Sequence, residues 1–139
     1  MIEYQSELNL TVAEFVDCLV RSTLSERRPV SDSETMAGML RHANVLITAR
    51  TESGLLVGVS RAITDFHYCT YLSDLAVDVY YQGKHIGREL VERTHRAAGK
   101  QTLLVLLAAP KAESYYPHIG MQPHPSAWIL PREPRPNAE

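Results

Sequence analysis

Only two cysteines, Cys18 and Cys69, occur in 139 residues, and they stand in unrelated contexts. Their number and spacing exclude a disulfide scaffold and a thiolate metal site. Neither sits in a motif for a cysteine nucleophile, so covalent ping-pong transfer has no support. The six histidines, His42, His67, His85, His95, His118 and His124, show no close-ligand pattern and no HExxH, and no metal is expected. Long basic runs are missing as well: Arg27-Arg28 is only a pair, and 14 Lys and Arg against 16 Asp and Glu leave a formal charge of -2. Nucleic acid is therefore not an expected partner. The longest apolar run, residues 103–110, is far short of a membrane span. The opening MIEYQSEL carries acids where a signal peptide needs a basic start and an apolar stretch, so a cytoplasmic location is expected. No repeat or low-complexity block appears.

What remains is a chain of ordinary single-domain size, 45% apolar and 22% charged, enough for one substantial core. Residues 1–8 read as a short first strand. In TVAEFVDCLVRS, Thr11 precedes Glu14 by three residues, and Val12, Phe15, Val16, Leu19 and Val20 recur at helical spacing. That predicts a capping box and an amphipathic helix. After Pro29, Ser31 or Asp32 caps a second helix through Leu40, with Met36 and Met39 as core filler. Strands are expected over 44–50, 55–63 and 70–79, antiparallel in succession and joined by turns at 51–54 and 65–68. The period then changes to helical, with Leu90, Val91, His95 and Ala98 on one face and Gly99 as the stop. Residues 102–108 read as an interior strand covered on both faces, 111–116 as a short helix after Pro110, and 127–130 as a last strand. Residues 130–139 are expected to be a loose tail.

The strand–loop–helix at 77–90 has a chemistry of its own. Free N–H groups at a helix start, added to its positive dipole end, make an anion site. Gly83 and Gly87 permit close approach and unusual torsions, and Lys84 and Arg88 add charge that meets phosphate or simply water. The loop has neither GxGxxG nor GxxxxGK[ST]. Spacing alone leaves an anion site and a plain strand–helix connection both open.

The run LAVDVYYQGKHIGREL (75–90) resembles motif A of the GCN5-related N-acetyltransferases, the GNAT superfamily. The signature is Gln or Arg, two residues, Gly, one residue, then Gly or Ala. Gln82 fills the first position and Gly87 the last, with His85 in place of the middle glycine. APKAESYYPHIGM (109–121) resembles motif B through Pro110, Ala112, Tyr115-Tyr116 and Gly120, with Ala109 where many members have Asn and Met121 in place of Phe. The two motifs come in the family's order.

The resemblance implies one GNAT domain over 1–139, a mixed α/β fold with a central sheet flanked by helices and strands splayed around the cofactor. It implies acetyl-CoA as cofactor and direct attack of a primary amine on its thioester. Tyr116 maps to the motif B proton donor toward sulfur, and a phenol with an ordinary pKa near 10 suits that task; packing is its other reading. Main-chain groups of Leu75, Val77 and Val79 would pair with the pantetheine arm. Donors of Gln82, Gly83, Lys84, His85, Ile86, Gly87 and Arg88 would receive the pyrophosphate. Asp74, an acid inside an apolar strand, is the leading candidate for taking the amine's proton; recognition of a cationic amine and a structural role stay open. Tyr71, His67 and Asp65 are weaker candidates. The junction at 25–30 is expected to select the acceptor, with Glu26 toward an amine and Arg27 or Arg28 toward an anion. Trp128 reads as core or dimer contact. A small metabolite amine is the expected acceptor, with a peptide amine and a non-catalytic acyl-CoA sensor as alternatives, and a homodimer is expected.

Overall fold

In the computed structural model, which describes residues 1–133 and Arg135, Thr11 starts the first helix. Its hydroxyl accepts the N–H of Glu14 at 3.2 Å, and α1 (Val12–Ser22) runs to a left-handed Thr23. The other half of the expected capping box is not made, because the Glu14 carboxylate pairs with Arg50 at 2.8 Å instead. Asp32, rather than Ser31, caps α2 (Ser33–Arg41) by accepting from Thr35 N at 3.1 Å. The third helix, α3 (Ile86–Ala98), stops at Gly99 (φ 111°), as its pattern predicts.

The chain divides into two units, Met1–Leu106 and Leu107–Glu139. The first holds a mixed sheet in sequential order, β1 (Ile2–Ser6), β2 (Val45–Thr51), β3 (Leu56–Thr64), β4 (Cys69–Val77) and β5 (Leu103–Val105). All pairs are antiparallel except β4 with β5. Each face carries its own apolar layer. Phe15, Cys18 and Leu19 of α1 and Met36 and Leu40 of α2 cover Leu46, Val59 and Ala76. On the opposite face Ile86, Leu90 and Ala98 of α3 cover Val45, Ile47, Ala49 and Val57. Each fully buried aliphatic side chain contributes about 1.5–3 kcal/mol. Gly58 lets α3 lie this close: a Cβ there would stand 3.0 Å from Leu90 Cδ1 and 3.2 Å from Ile86 Cγ2.

Two strand expectations need correction. Residues 102–108 do not form an interior strand; β5 has three residues, is last in the sheet order and pairs only with β4 among the described residues. An apolar run specifies burial poorly when its pairing with its neighbour is short, as it is with β4 here. Residues 127–130 form no strand, and Trp128 is 91% exposed, which removes its core reading. In the second unit the expected helix at 111–116 appears as a 3-10 turn, Pro110–Ala112, and a short α4 (Tyr115–His118). Of the expected tail, residues 134 and 136–139 lie outside the described residues.

Candidate active site

The site begins with one extra residue. Asp74 pairs with Arg61 and Leu72 with Ala62, so Ser73 has no partner in β3 and forms a β-bulge. On its other edge β4 pairs with β5 through Cys69, Thr70 and Tyr71 only. Past Tyr71 β4 has no strand partner on that edge among the described residues, so its outer main-chain edge is unpaired there. Antiparallel pairing fixes which main-chain groups face it. Asp78 N–H donates to Val57 O at 2.8 Å, so the alternation turns the N–H and C=O of Leu75 and Val77 away from β3 and toward that unpaired edge. Val77 O accepts there from Gln82 Nε2 at 3.0 Å. Val79 falls beyond the strand and opens a 3-10 turn, Val79–Tyr81.

Asp78 caps that turn, accepting from Tyr80 N at 2.9 Å, and is held in turn by Arg21 Nη1 at 2.5 Å. The loop then takes two left-handed residues, Gly83 (φ 79°) and His85 (φ 65°). His85 therefore occupies a backbone conformation that favours glycine, at the position where the motif has one; a side chain there costs roughly 1–2 kcal/mol. The first bond closing α3 runs from Glu89 N to His85 O at 3.1 Å. The N–H groups of residues 82–88 find no acceptor among the described residues. Lys84, His85 and Arg88 are exposed beside them, and neither Lys84 nor Arg88 makes an ion pair among the described residues. Ile86 and Gly87 are buried, pinning the helix start to the sheet. The donors, the helix dipole and the free cations all suit a diphosphate.

Asp74 is fully buried and shared by two guanidinium groups, Arg28 Nε at 2.5 Å and Arg61 Nε. Arg28 is thereby committed to a carboxylate of its own chain, and the expectation that it meets a substrate anion is corrected. Arg27 and Glu26 are exposed. Asp65 is engaged as well: it accepts from the main chain of His67, Tyr68 and Cys69, which holds its carboxyl down at about 2. It works as the brace of its own turn. Tyr71 is 41% exposed.

In the second unit, Tyr116 meets Tyr115 edge to face, with centroids 5.3 Å apart at 77°. Burial, and secondarily Tyr115, raises the Tyr116 phenol above its ordinary value, so it is protonated at neutral pH. Its main-chain carbonyl accepts from Ile119 and Met121, and Gly120 (φ 88°) supplies the left-handed turn between them.

Sequence reasoning picked out Asp74 but not the residues that organise the region around it: Arg21, Arg61, Ser73, Asp78 and Gly58. Asp78 had a legible signal, an acid four residues after Asp74. A bulge at a serine has none.

The model of the acetyltransferase (GNAT) domain matches residues 42–122, a stretch that crosses from the first unit into the second. GCN5-related N-acetyltransferase 2, chloroplastic, of Arabidopsis thaliana is 31% identical over 72 residues, which make up 50% of this chain and 28% of that protein. The chain thus spans well under a third of that relative's length. An acetyltransferase of the GNAT family from Streptococcus pneumoniae TIGR4 superposes with a TM-score of 0.73 at 19% identity, covering 95% of this chain and 100% of that one. A Staphylococcus aureus protein of unknown function described as a probable acetyltransferase superposes with a TM-score of 0.77 at 20% identity, covering 96% and 99%. At these identities the two structures establish the shared fold. No helix among the described residues is long and apolar enough to cross a membrane.

Proposed function

Because the chain belongs to the GNAT acetyltransferase family, we propose that it transfers an acetyl group from acetyl-CoA to a primary amine. The observation that carries this reading is the run of unpartnered N–H groups at 82–88, which follows the unpaired edge of β4. Those donors, with Lys84 and Arg88, take the pyrophosphate; Gln82, Gly83, His85, Ile86 and Gly87 contribute main-chain donors. The main-chain groups of Leu75 and Val77 pair with the pantetheine amides, and Val79 borders the same arm. Acetyl-CoA supplies an acyl group activated as a thioester.

The chain's own residues then have two tasks. Tyr116, protonated at neutral pH, gives a proton to the departing sulfur as the new N–C bond replaces the C–S bond. The incoming amine must lose a proton, and Asp74 is poorly placed to take it. A carboxylate with no exposure and a guanidinium on each oxygen serves better as structure, so among its three readings we favour that one. Water is left as the base.

Residues 1–139 are read as one functional domain, with a small metabolite amine as acceptor and a cytoplasmic homodimer as the working form. Thiol release from acetyl-CoA across a panel of small amines and short peptides tests the proposal. Turnover with at least one amine is expected, and Tyr116→Phe should lower kcat by about 10–100-fold while leaving acetyl-CoA affinity within about threefold. Binding without turnover on any amine would favour the sensor reading instead. An unchanged kcat in Tyr116→Phe would remove the phenol from the mechanism.

A further inference from the structure

Two arginines from different elements close on the place where β4 breaks register with β3. Arg61, on β3, directs Nε to Asp74 Oδ2, Nη2 to Ser73 Oγ at 2.9 Å and Nη1 to Met39 O at 3.3 Å. Arg28, in the segment between α1 and α2, directs Nε to Asp74 Oδ1 at 2.5 Å and Nη2 to Ser73 O at 2.8 Å. The bulge carbonyl, the bulge hydroxyl and both oxygens of the next carboxylate are therefore all held. Arg21 makes a similar grip four residues further on, joining α1 to Asp78 at the foot of the loop.

Stability alone is a weak account of this cluster. A buried ion triad is often no more stabilising than apolar side chains of the same volume, because desolvation offsets the attraction. Arginine forks are distinguished by fixed direction: each holds two acceptors in one plane and so sets their orientation. Here the acceptors are those of the bulge that lies just past the last β4–β5 pair, where the unpaired edge of β4 begins.

We propose that Arg28, Asp74 and Arg61 form a positioning device that fixes the Ser73 bulge and makes residues 24–30 move as one body with β4. The helix layer on one face of the sheet is thereby coupled to the strand whose unpaired edge is read as the cofactor site. The inference rests on the acetyl-CoA reading of that edge, and its test separates the two. Arg28 is the residue to change, since it is partly exposed and Asp74 keeps Arg61, whereas Asp74→Asn leaves the buried Arg61 and the part-buried Arg28 unopposed.

Hydrogen exchange is followed by mass spectrometry in wild type, Arg28→Gln and Arg28→Lys, with and without saturating acetyl-CoA, alongside calorimetric titration. In wild type, acetyl-CoA slows exchange across 24–30 by about threefold or more. In Arg28→Gln, basal exchange there rises about tenfold and the slowing by acetyl-CoA is lost, while Kd stays within about threefold. Arg28→Lys, which keeps the charge but has no planar fork to hold two acceptors in fixed directions, falls between them. A residue that merely adds stability would leave the ligand-induced slowing intact. Persistence of that slowing in Arg28→Gln, or wild-type exchange across 24–30, overturns the coupling. Failure of wild type to bind acetyl-CoA appears in the titration alone and overturns the cofactor reading, and the coupling with it.

Discussion

His85 shows how one side chain records a conformation imposed by its loop. Its φ of 65° belongs to the left-handed region, and it is the last residue before α3. Glycine would relieve the clash of Cβ with the neighbouring carbonyl but gives the unfolded chain more entropy to lose on folding, and the two effects differ by a fraction of the steric cost. His85→Gly is therefore expected to stabilise the protein by about 0.5–1 kcal/mol in urea unfolding. A destabilised variant would mean that the imidazole makes a favourable interaction that offsets the strain. Asp74 teaches a different lesson. An acid in an apolar strand is visible in the sequence, but its partners lie 46 and 13 residues away. Nothing local distinguishes a gripped carboxylate from a poised base.

At the scale of elements, the helices were readable because caps and periodicity are local: Thr11, Asp32 and Gly99 mark boundaries where the pattern puts them. The β2–β3–β4 meander was readable for a similar reason, since its turns are short. The unpaired edge of β4 was not, because it depends on where β5 pairing ends, and the bulge at Ser73 was no more visible. Loss of a neighbour leaves no trace in the apolar run at 102–108. Charge pairs between elements are equally hidden. Arg50 of β2 binds Glu7, just beyond β1, and Glu14 of α1. Its hydrogen bonds are the main cause holding the Glu7 carboxyl at about 2, against 4.5 unperturbed. With the folded value depressed, this contribution is fully present above the unfolded value and is lost as pH falls through about 2. Unfolding free energy should decline through that window. Glu7→Gln should flatten the decline and cost about 2 kcal/mol at neutral pH. A Glu7→Gln protein whose acid profile matches wild type would show that the carboxylate is not what titrates.

For the molecule as a whole, the unpaired edge of β4 and a helix that starts without acceptors are, in the proposed function, two parts of one binding site. The most direct test is calorimetric titration of the purified protein with acetyl-CoA, with desulfo-CoA and adenosine as controls, beside Gly87→Leu shown by its melting curve to be folded. Saturable binding by wild type is expected, with a loss of about tenfold or more in Gly87→Leu, because a side chain at the buried start of α3 would displace the donors proposed for the pyrophosphate. Folded wild-type protein that binds neither acetyl-CoA nor longer acyl-CoAs would contradict it.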